Sequence, residues 1–513
     1  MKSVPDSRIE RLLLGLILLG YAVIAALFAL RTPAWQTPDE PAHYNYAAQI
    51  ARDGCCPVIT EGDWDSPYLE QLKAARFAPE LLGAFDRIQY EDHQPPLYYL
   101  VQALVFRLSD GSLAVMRLVS AAMGLGIVVC VWAVARRLTP GAPQIALAAA
   151  AFAAFLPQHV ALLASVNNDS LAWLLIAVLI WLTVRYTLGD RIPVWLLGVL
   201  MGIALLTKIS SIFLLGVIGL AILWRVIWAG GATSSEQVPG ARYQRSAISD
   251  QPRHSSLVTR HSLVHLLQQW TLFLLPALLL AGIWWARNIS VYGFPDLFGL
   301  REHDRIVADQ LRTAAFIADN GLDGYWAHAL RTTFTSFWGQ FGWMGLPLWD
   351  WLYILLLGVT ALLMVGLVGQ VVSGVRRPSA TPPQRSATSD QPPATSDQAS
   401  PLITSSPHHL SSLVTRHSSL DFRAAFVLLA LCALLAALQY AYYNLEFLQL
   451  QARYMFTGIT PFAIGLALGM DAWRGWLLGR WGWARWLTPL PFMALALLDL
   501  YLIVRVIEPL LRP

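Results

Sequence analysis

Apolar stretches near 20 residues long recur from one end of this chain to the other, and no other feature limits its fold so tightly. Inside hydrocarbon every backbone N–H and C=O must be satisfied by the chain itself, so such stretches can only be helices. They fall at about 12–30, 114–135, 142–163, 170–187, 193–207, 210–228, 270–286, 348–372, 422–443, 454–470 and 486–506. Only 13% of the 513 residues are charged, against about a quarter in soluble domains. The expectation is an all-α polytopic membrane protein with about eleven transmembrane helices. A further apolar piece, 95–108, reaches only about 21 Å at 1.5 Å per residue, short of the roughly 30 Å hydrocarbon core. It reads as a re-entrant or juxtamembrane helix. The first run is too long for a cleavable signal, and no small-residue cleavage site follows it.

Lysines and arginines of short loops mark the cytoplasmic side. With eleven spans, Arg8 and Arg11, Arg136 and Arg137, Arg185 and Arg191, Arg376 and Arg377, and Arg474 and Arg480 all fall on one side. The N-terminus is therefore expected inside and the C-terminus outside, in a multi-pass protein of the cell membrane. Two long connections, 31–113 and 287–347, lie outside; two others, 229–268 and 373–421, lie inside.

The inside pair share text: "QRSAISDQP" at 244–252 returns as "QRSATSDQP" at 384–392, and "SSLVTRHS" recurs at 255–262 and 411–418. Both segments are rich in Ser, Pro, Gln and Thr, the composition of disordered linkers. They read as one low-complexity element inserted twice. A docking peptide for a cytoplasmic partner is the other reading. The outside connections differ in charge. Residues 31–93 hold eleven Asp or Glu against five Lys or Arg, while the second offers Arg287, Arg301, Arg305, Arg312 and Arg331 against six Asp or Glu. That division suits a reaction that needs a base and must also hold a phosphate. A net charge of +4 points to no nucleic-acid partner. Four cysteines provide no metal or disulfide framework; Cys55 and Cys56 form either a vicinal disulfide or two free thiols.

Four clusters could carry chemistry. In "QTPDEPAHYNYAAQIARDG", 36–54, Asp39 is a natural helix N-cap, Pro41 suits the first turn and Gly54 the end. Capping accounts for Asp39 but not for Glu40, His43 and Tyr44 crowding the same turn. "YEDHQPPLYYL", 90–100, places Glu91, Asp92 and His93 before a Pro-Pro; they are either a solvated loop end or ligands for a divalent metal ion. In "SVNNDSLAWLL", 165–175, Asp169 either caps a span or serves the site. In "QARYMF", 451–456, Arg453 either snorkels or binds a lipid phosphate, and Lys208 divides the same way. Asp499 is an intramembrane charge with no partner named by sequence. No Walker loop, HExxH or GxSxG is present, so nucleotide, zinc and serine hydrolysis have no signature.

"PDEPAHYNY" after the first span, then "HQPPLYYL", "RNISVYG" and "QARYMF", resembles the GT-C membrane glycosyltransferases, nearest the protein mannosyltransferase and lipid A aminoarabinose transferase group and its bacterial relatives of unassigned function. The likeness in layout covers most of 1–350. It implies a GT-C fold with two large extracytoplasmic loops carrying juxtamembrane helices. The family has seven spans before its second large loop, and the same count holds here. Residues 1–347 would then form the catalytic module and 348–513 the C-terminal helices.

The resemblance implies transfer of a sugar from a polyprenyl-phosphate donor to an acceptor hydroxyl (lipid, glycan or protein) on the extracytoplasmic face, with inversion. Asp39 would be the general base with Glu40 beside it, and His43, His93, Gln94, Asp169, Lys208, Arg287 and Arg453 would bind substrate. Gln94 departs from the Lys or His often found there, which leaves donor anchoring and metal binding open. A transporter or flippase of lipid-linked sugars, which needs polar residues at the midplane, and a non-catalytic protein of the same fold are the alternatives.

Overall fold

The computed structural model describes residues 4–229, 256–376 and 408–513. The repeated phrases at 244–252 and 384–392 lie outside the described residues, as does most of the two inside linkers. "SSLVTRHS" is helical from its second residue in the first copy, whose helix begins at Ser256, and throughout in the second, which lies inside the helix begun at His408.

All eleven apolar runs are helical. The chain order is α1 (Val4–Arg31), α2 (Glu40–Asp53), α3 (Ser66–Ala74), α4 (Leu97–Leu108), α5 (Leu113–Leu138), α6 (Pro143–Phe155), α7 (Pro157–Leu163), α8 (Asp169–Thr187), α9 (Val194–Leu205), α10 (Phe213–Ala229), α11 (Ser256–Tyr292), α12 (Leu300–Ile306), α13 (Thr313–Trp338), α14 (Asp350–Arg376), α15 (His408–Tyr443) and α16 (Ile459–Leu478), followed by a helical segment Gly482–Leu511. Among the described residues nine helices are long and apolar enough to cross a bilayer.

Two runs depart from a straight span. The run 142–163 is broken into α6 and α7 at an angle of 61°. Pro157 lacks an N–H and forces Leu156 into the extended region, φ −72° and ψ 113°. His159 then caps the released Ala153 carbonyl, Nδ1 to oxygen 2.8 Å. The run 193–207 makes only a 12-residue helix, α9. It packs through Gly198 and Gly202, where a Cβ would lie 2.2 Å from the Phe273 carbonyl oxygen and 2.7 Å from Leu280 Cβ on α11. Small residues four apart let helix backbones approach this closely in a membrane. The piece 97–108 is a 12-residue helix of its own, α4, as its length predicts.

Contacts between distant connections sort the charges into two ends of the bundle. At one end Arg136 meets Glu10, Arg137 and Arg185 share Asp190, and Asp471 takes Gln144 and Arg474. At the other, Arg31 meets Glu508, and the pairs that make the site below are found. The bent α6–α7 pair makes a tenth candidate span, and the chain from Asp190 to Lys208, which contains the short α9, joins the two ends. The only described strands are the two-residue pair Gln340–Phe341 and Leu346–Pro347.

Candidate functional site

Asp39 stands at the N-cap position of α2, yet its side chain makes no capping bond. Its backbone is left-handed, φ 67° and ψ −5°, a conformation that costs a non-glycine residue on the order of 1–3 kcal/mol. The carbonyl still opens the helix by accepting from His43 N at 3.0 Å. The carboxylate swings inward instead. Oδ1 accepts from Tyr90 Oη at 2.9 Å, and Oδ2 is ion-paired with Arg453 Nη2. Burial opposes ionisation of Asp39, but the Arg453 charge and the bond from Tyr90 outweigh it and bring the acid down to about 2.

Glu40, expected beside Asp39 in catalysis, has another task. It is fully buried and holds Arg117 of α5, itself 3% exposed, in a two-point pair with Nε to Oε1 at 2.7 Å. Arg117 also donates to the Thr32 carbonyl at 2.6 Å, and to those of Ala29 and Pro33. Glu40 Oε1 further accepts from Val166 N at 3.1 Å. With both oxygens committed, Glu40 has no reach toward a reacting atom. It ties the end of α1, the start of α2, α5 and the loop leading to Asp169 together.

That loop carries the second acid. Asn167 Oδ1 accepts from Asp169 N at 2.9 Å, so Asn167 does the capping that the sequence offered to Asp169. The Asp169 carboxylate is free to take Lys208 Nζ at 2.6 Å. His43 is buried with Nδ1 2.8 Å from Tyr99 Oη. Burial, aided by the Lys208 and Arg453 charges and opposed by Asp39, lowers His43 to about 3 and keeps it neutral at neutral pH. Glu91 is pushed up to about 8, by burial first and then by the Asp39 charge, and its Oε2 has no hydrogen-bond partner among the described residues. Gln94 lies between elements: its carbonyl accepts from Tyr46 Oη at 2.9 Å and its Oε1 from Asn168 Nδ2 at 3.3 Å.

Arg287 and Asp92 turn to partners outside this centre, while His93 lies at its edge, within electrostatic reach of His43 and Lys208. Arg287 donates to the carbonyls of Cys56 and Pro57, the latter in a loop whose Cys55–Cys56 pair is disulfide-bonded, and to Asn288 Oδ1 at 3.0 Å. Asp92 turns to Gln49 Nε2 at 2.8 Å. His93 places Nδ1 3.3 Å from the Tyr90 carbonyl and packs its ring 4.3 Å from His303. Glu91, Asp92 and His93 therefore face different neighbours. Among the described residues no three His, Cys, Asp or Glu side chains gather as a metal site, so the expected metal ligands are not assembled.

Four contributors escaped the sequence reading: Arg117, Tyr90, Tyr99 and Tyr454. Arg117 had a signal, because an arginine inside an apolar run demands a buried partner. The tyrosines had none beyond their place in motifs already quoted. Together the groups offer a carboxylate that can take a proton, two cations that can face an anion, and a neutral buried carboxylic acid, all at one end of the bundle.

Residues 93–235 match the family model described as dolichyl-phosphate-mannose-protein mannosyltransferase. The matched stretch runs from His93 through α10 and includes Asp169 and Lys208. No curated protein matches the chain. Among solved structures it is similar to ArnT from Cupriavidus metallidurans bound to undecaprenyl phosphate, at 13% identity and a TM-score of 0.44, over 97% of this chain and 73% of that one.

Proposed function

We propose that this chain is a membrane glycosyltransferase of the GT-C type, a reading supported by its match over 93–235, and that it moves a sugar from a polyprenyl-phosphate donor to an acceptor hydroxyl at the extracytoplasmic end of the bundle. The observation that carries the reading is the buried meeting of Asp39 with Arg453, a residue 414 positions away, beside the Asp169–Lys208 pair. Acids and cations from the connections after the first, third, fifth and ninth runs converge there. The arginine-rich short loops at the opposite end support a cytoplasmic assignment for that side.

The polyprenyl tail lies among the spans and the donor phosphate faces Arg453 and Lys208, with Arg287 further out. Asp39 takes the proton of the acceptor hydroxyl. The hydroxyl oxygen attacks the anomeric carbon from the face opposite the phosphate, and the carbon–oxygen bond to phosphate breaks with its electrons going to the leaving lipid phosphate. Inversion follows from the single displacement. One positioned base supplies about 10²–10⁴-fold. Holding the two reactants in line and stabilising the phosphate's charge supply the rest. No nucleotide takes part, in keeping with the missing phosphate loop.

The test is a panel of polyprenyl-phosphate sugars supplied to the purified full chain, with release of polyprenyl phosphate as the readout. Transfer from at least one donor, abolished in Asp39→Asn while the variant still elutes as a folded, monodisperse protein with wild-type helix content, is expected. Near-normal turnover by Asp39→Asn removes the proposed base.

A further inference from the structure

Arg453 is only 6% exposed, yet it is not saturated. Its Nη2 is shared between Asp39 Oδ2 and Tyr454 Oη, while Nε and Nη1 are buried and have no acceptor among the described residues. A guanidinium has five donors and no acceptor, and leaving buried donors dry is costly. The side chain is built to take a second anion besides Asp39.

We propose that the Asp39–Arg453 ion pair is a latch that the donor's phosphate opens. This rests on the reading above, in which the donor is a lipid-linked phosphate. The phosphate meets Nε and Nη1, draws the guanidinium off Asp39 Oδ2, and leaves a carboxylate held by Tyr90 alone. The parts are arranged for such an exchange. Arg453 lies on the turn Ala452–Gly458 before α16, whereas Asp39 opens α2, so the arginine can shift without carrying the acid with it. The Tyr90 bond is to the other oxygen, Oδ1, so the carboxylate keeps its aim when Oδ2 is freed.

The exchange changes what Asp39 can do. Paired with Arg453 it holds no proton and has little affinity for one. Released in a buried site, it is an uncompensated charge until it takes the proton of the acceptor hydroxyl. The phosphate that activates the base is also the leaving group, and it remains on Arg453 as the anomeric carbon–oxygen bond breaks. Without donor the base stays masked, so water and stray hydroxyls are not activated.

The experiment measures binding of undecaprenyl phosphate to the purified full chain in lipid nanodiscs, for the wild type, Asp39→Asn, Asp39→Ala and Arg453→Gln. The latch requires both Asp39 variants to bind about tenfold tighter, because Arg453 no longer has to leave a carboxylate, and Arg453→Gln to bind at least tenfold weaker. Wild-type binding with no gain in either Asp39 variant overturns the latch and leaves the donor reading standing. No saturable binding by the wild type or the Asp39 variants overturns the donor reading, and the latch with it. A variant-free arm guards against misfolding: infrared difference spectra of the wild type, with its aspartates ¹³C-labelled at the carboxylate, should show a carboxylate band moving from an arginine-paired to a free position on adding undecaprenyl phosphate. A silent spectrum counts against the latch.

Discussion

Replacing Glu40 by glutamine tests whether the site's geometry hangs on the Arg117 clamp. The substitution keeps the shape and one acceptor but removes the charge. Arg117 would then sit, still 3% exposed, with only carbonyl oxygens around a full positive charge. Breaking a buried pair by neutralising one partner costs about 3–5 kcal/mol, since the remaining charge is left uncompensated. That is a large part of the roughly 5–15 kcal/mol that separates folded from unfolded states. Because Glu40 also holds Val166 N, the loss should slacken the loop bearing Asp169 along with the α2 start bearing Asp39. The measurement is chemical unfolding in detergent micelles followed by tryptophan fluorescence. Glu80→Gln, an exposed glutamate in the same outside connection, serves as the control and should stay within about 0.5 kcal/mol of the wild type. A Glu40→Gln loss below about 1 kcal/mol would mean that the Arg117 charge is compensated elsewhere and that Glu40 is no anchor.

Two further outcomes follow from packing and titration. Glu91 is raised in the folded state from 4.5 to about 8, so the folded chain holds a proton that the unfolded chain releases. Its contribution to stability is complete below about pH 4.5 and is lost as pH rises through 8, a change on the order of a few kcal/mol that Glu91→Gln should abolish; melting curves of the two proteins that run parallel from pH 5 to 9 would contradict this. Where α14 crosses α16, a Cβ on Gly469 would lie 2.0 Å from the Leu363 carbonyl oxygen. Gly469→Val should therefore push the helices apart at a cost of about 1–3 kcal/mol or more, and an unchanged unfolding midpoint would show that the crossing is looser than described.

How much of this was legible in the sequence depends on what each feature rests on. The helices rest on hydropathy, and all eleven runs are there. The break at Leu156 was written in the Pro157 ring, and the shortness of α9 in the Pro193 before it and the Lys208 after it, though a window average blurs both. Asp39 illustrates the other case. An acid two residues before a proline at a helix start reads as a cap, and nothing local says that its backbone is left-handed and its carboxylate turned inward. Tertiary partners decide that: Tyr90 is 51 residues away and Arg453 is 414. Glu91, Asp92 and His93 show the same dependence on distant partners. Three adjacent residues on a tight loop point in different directions, so nearness in sequence argues against their convergence as much as for it.

The parity of the fold explains why the site is where it is. Where each of the eleven runs crosses from end to end, every odd-numbered connection comes to the same end, however long the intervening linkers are. Asp39 follows the first run, Asp169 the third, Lys208 the fifth, Arg287 the seventh and Arg453 the ninth. Had α9 turned back without reaching that end, Lys208 could not lie 2.6 Å from Asp169 Oδ1. Arg453, which holds Asp39, comes from the C-terminal helices, so the candidate site draws on residues from both sides of position 347. Low-dielectric surroundings make each such pair strong and each unpaired charge expensive. A buried cluster of this kind can therefore exchange one anion for another far more readily than it can simply lose one, and that preference is what would couple arrival of a phosphate to exposure of a base.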